Sequence, residues 1–117
     1  EVLDPSHPIC AGVEPQFTIT DEVYLFPVLD ADVQPLMRST HDFVDSNFFS
    51  ADRAIRGSRN DATGWSHPPG RDLVAWTKQI GRSSIAYIQF GDSPQTYADP
   101  NYRRVLANAV HWAASEL

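Results

Sequence analysis

The sequence is short of the residue types that announce a chemistry by themselves. It has a single cysteine, Cys10, which excludes an intrachain disulfide framework and a cysteine-rich zinc site, and leaves a reduced compartment permitted but not required. No apolar run approaches the roughly 18 residues of a membrane span, and the opening EVLDPSHP lacks the basic and then apolar layout of a signal peptide. A soluble chain is expected, and a cytoplasmic one. Positive charge is scarce too: 9 Lys and Arg are scattered among 15 Asp and Glu, for a formal charge of −6. A nucleic acid or an anionic membrane rewards clustered cations, so neither is expected as a partner. Internal repeats and low-complexity tracts are absent.

What is present suffices for a core. With 42% hydrophobic and 11% aromatic residues, 117 residues fit one domain. Ser6 or His7 precedes a helical turn opened by Pro8 and closed by Gly12. Phe17–Thr20 alternates briefly and continues through Asp21–Phe26 to the turn-like Leu29–Asp32. Val33–Met37 reads as a short buried strand that Pro35 places at an edge or a bulge. From about 39 to 71 the composition turns to Asp, Asn, Ser, Gly and Arg, which marks a long loop or insertion. It is expected to hold a short helix around Ser50–Arg56 or to fold over a site, and His67-Pro68-Pro69-Gly70 closes it as a rigid turn.

Leu73–Thr77 and Ser84–Phe90, joined through Gly81-Arg82-Ser83, predict an antiparallel hairpin. The second run is apolar at nearly every position, which predicts cover on both faces. Asp99 and Pro100 open an amphipathic helix whose apolar face is Tyr102, Val105, Leu106, Ala109, Val110, Ala113 and Leu117. Arg103, Arg104, Asn108 and His111 fall on the other face.

Several residues carry two readings. His7 lines a site or caps its turn; no partner of zinc spacing accompanies it, so no metal and no cofactor are expected. Asp21 and Glu22 are adjacent, so on an extended segment they point to opposite faces, and paired acid and base work needs a carboxylate from elsewhere, for instance Asp92. Asp92 and Ser93 follow a buried strand, where open α/β sheets bind ligands, or else form a capping turn. Trp76 and Trp112 sit in regular elements and read as core. Trp65, in a polar loop, is the better candidate for ligand or interface contact. Nothing surrounds Cys10 that would activate a nucleophile.

Segments taken in order resemble the ThuA-like (trehalose utilization) family: His7-Pro8-Ile9 with Gly12; Asp21-Glu22-x-Tyr24; and Val74-Ala75-Trp76-Thr77, Gly81-Arg82, Gly91, Tyr97-x-Asp99-Pro100, Arg103-Arg104-x-Leu106-x-Asn108-Ala109-x-x-Trp112-Ala113. The resemblance implies a flavodoxin-like sheet of the class I glutamine-amidotransferase-like type, with an antiparallel hairpin at its edge and a packed C-terminal helix. It also implies that this single, partial domain corresponds to the C-terminal half of the family's domain. A start at Glu1 carries the same expectation, a segment of a longer chain. A role in disaccharide utilization is implied, with His7, Asp21, Glu22, Tyr24 and Asp92 around a polar cleft for a small sugar-like ligand. The family commonly has histidine after the strand-end glycine, where this chain has Asp92. The alternatives are a non-catalytic module that forms homo-oligomers or associates with the missing half, and a fragment whose function belongs to the longer parent.

Overall fold

The computed structural model describes residues 1–115, without the Asp30 side chain; Leu117, expected on the apolar helix face, lies outside the described residues. The fold is α/β. Its frame is a three-stranded sheet in the order β1 (Gln34–Arg38), β2 (Leu73–Ile80), β3 (Ser83–Ile88). Every pairing in it is antiparallel, so the parallel strands that the resemblance implies are not among those described. The hairpin forms as its sequence predicts, in register from Ala75↔Ile88 to Ile80↔Ser83. Gly81 supplies a φ of 60° at the first position of the turn, where glycine alone avoids strain.

β1 is also where the sequence puts it. Pro35 cannot donate to a ladder, and the register slips between Pro35 and Met37, so the proline sits on an edge strand at an irregularity. The outer edge of β1 is partly covered by the first residues: the Leu3 amide donates to the Leu36 carbonyl at 2.8 Å and the Arg38 amide to the Glu1 carbonyl at 2.9 Å.

One expectation about the sheet is overturned. β3 is not covered on both faces; Ile85 is exposed and the rest of the strand is at best half-buried, and only Gln89 and Phe90, at the end of the predicted run, are buried. The buried strand is β2, because it lies in the middle, and Leu73, Val74, Ala75 and Thr77 are all buried. The apolar run of β3 reflects strand propensity at a half-covered edge rather than double burial.

Helix α3 (Pro100–Ser115) packs Tyr102, Val105 and Ala109 into a core with Ile9, Leu36, Met37, Ala75 and Phe90. Asp99 caps it, accepting from the Tyr102 amide at 2.9 Å. Its apolar face is narrower than the periodicity suggests. Leu106 and Val110 are exposed, whereas Asn108, assigned to the outer face, turns inward and donates to the Ile9 and Ala11 carbonyls at 3.0 and 2.9 Å. Those carbonyls lie within and just after the turn Pro8–Cys10, a 3-10 helix whose C-terminal end α3 thereby ties down.

Residues 17–29 form no strand. Burial does alternate, with Phe17, Ile19, Asp21 and Val23 half-buried and their neighbours exposed, so the chain is extended. Among the described residues it makes no backbone ladder with the sheet. Side chains hold it instead. It runs along the hairpin: the Gln89 side-chain amide donates to the Tyr24 carbonyl at 3.1 Å, Phe26 meets Tyr87 edge-on at 5.9 Å, and beyond it Asp32 pairs with Lys78 at 3.6 Å. Gly70 presses on it from the loop side, where a Cβ would lie 2.8 Å from Leu25.

The 39–71 region contains a 3-10 turn at Asp45–Asn47 and helix α1 (Ala51–Ile55), capped by Ser50. Arg53 anchors the loop beyond the helix by donating to the Asp61 and Thr63 carbonyls, both at 2.5 Å. Among the described residues no helix is long and apolar enough to cross a membrane.

Candidate functional site

The carboxyl ends of β1 and β3 lie at the same end of the sheet, on either side of the start of β2, and beyond them the extended segment crosses the turn Gly91–Ser93. There the Asp21 carboxylate accepts from the Gly91 amide at 2.7 Å, from the Asp92 amide at 3.2 and 3.3 Å, and from the Glu22 amide at 2.9 Å. Burial pushes this carboxyl up, but the Thr96 hydroxyl and the Glu22, Gly91 and Asp92 amides together outweigh it and hold Asp21 below the ordinary carboxylate value. Asp21 is therefore ionised near neutral pH.

The turn itself is demanding. Gly91 has φ 141°, and a Cβ there would come within 2.5 Å of the Tyr102 hydroxyl, so only glycine fits. Tyr102 is buried beneath it; burial and the Tyr97 hydroxyl push its phenol up to about 12. Ser93 caps helix α2 (Pro94–Ala98), accepting from the Thr96 amide at 3.2 Å, and its hydroxyl also reaches the Thr20 carbonyl at 3.5 Å. The capping reading of Ser93 is thus realised, and the cap joins the same two segments that Asp21 joins. The Ser93-Pro94-x-Thr96 pattern, serine before a proline at the first helical position, is the signal that would have revealed α2.

Glu22 and Tyr24 stand together on the exposed side of the segment, the Tyr24 hydroxyl donating to the Glu22 carboxylate at 2.9 Å. That hydrogen bond, more than burial, raises the Tyr24 phenol above its usual value, and the charges of Asp92 and Asp21 add to it. Asp92 is exposed, and among the described residues its side chain makes no hydrogen bond or ion pair. Next to this cluster is a cavity of about 190 Å³, with Phe17, Ile19, Val23, Val74 and Phe90 as its apolar wall and Asp21, Arg38, Ser39 and Thr40 among its polar lining. Apolar surface with a few polar groups at strand ends is the general make-up of a small-molecule site.

Asp21, Glu22, Tyr24, Asp92 and Ser93 are therefore brought together, and of the five Asp21 alone lines the cavity, the others standing beside it. His7 and Trp65 are not among them. His7 is buried as the cap of the Pro8–Cys10 turn, its Nδ1 accepting from the Ile9 amide at 3.2 Å and its ring lying 5.4 Å from that of Trp112. Burial lowers its pKa, only partly offset by Asp4, and the neutral ring is the form a cap acceptor requires. Trp65 is half-buried in its loop, its amide donating to the Ala62 carbonyl at 3.0 Å, and it does not line the cavity. Cys10 is buried, which pushes its thiol up to about 11, unsuited to nucleophilic work. Trp76 is half-buried and stacks on Tyr87 at 4.8 Å within the hairpin. Among the described residues no group of three or more His, Cys, Asp and Glu could hold a metal ion.

Sequence reasoning missed Thr96 and Tyr102, the buried supports of the turn, because a threonine and a tyrosine at helical spacing look like ordinary packing. Arg38, on the cavity rim and paired with Glu1 at 2.7 Å, escaped notice for want of any local motif.

The family model for ThuA, described as trehalose utilisation, matches residues 1–113. No curated protein and no solved structure matches the chain.

Proposed function

The chain belongs to the ThuA family of trehalose utilisation, and from that premise we propose that it binds a small sugar-like ligand in a polar cleft made by the cavity that Asp21 lines and the Glu22, Tyr24, Asp92 and Ser93 side chains beside it. The observation that carries the proposal is the meeting of Asp21 with the turn at Asp92, 71 residues away in sequence, beside a cavity at the strand ends. Sugars are recognised by acceptors for their hydroxyls together with an apolar wall for their ring faces. The exposed Glu22 and Asp92 carboxylates supply the first, and Phe17 and Phe90 the second. These two rings meet edge-on at 6.4 Å on the cavity wall. The flavodoxin-like frame, with this hairpin at its edge, belongs to the same proposal.

Calorimetric titration with trehalose tests the reading. Glu22→Gln and Asp92→Asn are each expected to weaken uptake about tenfold, since each removes a charged acceptor; unchanged uptake in both variants would sink it.

A second reading, a self-associating module, is favoured by one observation. Among the described residues β3 pairs only with β2, and near its free edge Ile80 is 56% exposed and Ile85 is exposed as well. Sedimentation analysis decides it: an Ile85→Lys change should shift a dimer to monomer, and a native chain that is monomeric at high concentration ends this reading.

A further inference from the structure

Two acidic residues of the cleft are exposed, while the third is engaged on every side. Asp21 Oδ1 accepts from the Glu22 and Asp92 amides, and Oδ2 from the Gly91 and Asp92 amides. We infer that Asp21 is a positioning residue, which ties the extended segment 17–29 to the turn after β3 and so fixes where Asp92 and the Glu22–Tyr24 pair meet a ligand. This inference rests on the reading that the cleft binds a sugar.

The need for such a tether comes from the fold. Residues 17–29 make no ladder with the sheet, so their position depends on side chains. Among the described residues the Gly91–Asp92 turn has no ladder of its own either; the last backbone bond to the sheet before it is two residues earlier, from the Gln89 amide to the Val74 carbonyl at 2.8 Å. One carboxylate accepting amide protons from both segments fixes each against the other. An ionised acceptor makes these the stronger class of hydrogen bond. Engaged in this way, Asp21 has little acceptor capacity left for a ligand hydroxyl. Asp92 and Glu22 do: Asp92 makes no side-chain hydrogen bond among the described residues, and Glu22 holds only the Tyr24 hydroxyl. The labour divides between a residue that sets the geometry and its sequence neighbour, on the opposite face, that uses it.

The test combines amide spectroscopy with trehalose titration on the 117-residue chain. In Asp21→Ala, and in the milder Asp21→Asn should the first fail to fold, the Gly91 and Asp92 amide protons are expected to move upfield and to exchange faster with solvent. Trehalose affinity should fall about tenfold or more. In a Glu22→Gln/Asp92→Asn background the same Asp21 change should cost less than about threefold further, because the charged acceptors it positions are already gone. The unsubstituted chain gives an arm that needs no Asp21 variant: its Gly91 amide proton should lie downfield at neutral pH and move upfield in acid. The same movement in Glu22→Gln/Asp92→Asn assigns it to Asp21. Unmoved Gly91 and Asp92 amides in Asp21→Asn overturn the tether. Native trehalose affinity in a folded Asp21→Ala, or full additivity with Glu22→Gln/Asp92→Asn, overturns its service to the ligand. A native chain that takes up no trehalose, while Asp21→Asn still displaces both amides, overturns the proposed function and upholds the tether.

Discussion

Two turns in this protein are each held from a distance by one polar side chain, and they are opposites. The Pro8–Cys10 turn is held by the Asn108 amide, which donates to two carbonyls; the Gly91–Asp92 turn is held by the Asp21 carboxylate, which accepts from two backbone amides there. The first clamp is neutral and sits against the core beside Ile9, which is fully buried. The second is charged, borders the cavity and leaves Asp92 exposed. A clamp that satisfies carbonyls from a packed helix builds a core. A clamp that satisfies amides with a charge at the sheet's end keeps acidic groups near solvent, where a ligand can reach them. His7 belongs to the first turn and serves as its cap, which is why a histidine that looks chemical in the sequence is structural.

This contrast can be broken by substitution. The largest effect is expected from Gly91→Ala, which forces a side chain into the space of the Tyr102 hydroxyl at a φ that only glycine adopts readily. A loss of about 3 kcal/mol, seen as a fall in Tm of roughly 10 °C, should accompany loss of trehalose uptake. Next is Asn108→Ala, which leaves the Ile9 and Ala11 carbonyls without their donor. Thermal unfolding should show a loss of about 2 kcal/mol, with trehalose uptake unchanged in the folded protein; impaired uptake would mean that the two clamps are coupled. Asp92→Asn should do the reverse, weakening uptake while its stability stays within about 0.5 kcal/mol of native.

The smallest effect sharpens the comparison through pH. Burial depresses the His7 pKa below its ordinary 6.5, so between 6.5 and the lower folded value the unfolded chain binds a proton that the folded chain does not. The stability contributed by the neutral ring is therefore present above 6.5 and is lost as pH falls through the folded pKa. His7→Asn keeps a cap acceptor without the titration, and its Tm should vary less across that window than that of the native chain. Asp21, also depressed, acts in a lower window: its contribution is present above the usual carboxylate value of 3.8 and is lost as pH falls below it.

Elements whose partners are near in sequence were legible. The hairpin could be read from two strand-like runs around Gly81, and α3 from Asp99-Pro100 and its periodicity, because caps and tight turns are local chemistry. The alternation from Phe17 to Tyr24 was also a true signal, since Asp21 is half-buried and Glu22 exposed. What alternation cannot show is whether a neighbouring backbone completes a ladder, and here none among those described does. Double cover of β3 was misjudged for the same reason: strand order, not composition, decides which strand lies in the middle. The acidic cluster was half legible. Residue types and resemblance named its members, but the contact of Asp21 with the Gly91–Asp92 turn spans most of the chain, and no local pattern specifies it.

The hairpin also gives the protein an optical signature. Trp76 and Tyr87 lie ring on ring, tilted by 15°, on strands that are neighbours only when the register is native. Two aromatic chromophores held in that fixed, asymmetric arrangement couple their transitions. The near-ultraviolet dichroism of this chain should therefore report on the register of β2 and β3 while far-ultraviolet bands report only how much helix and strand is present.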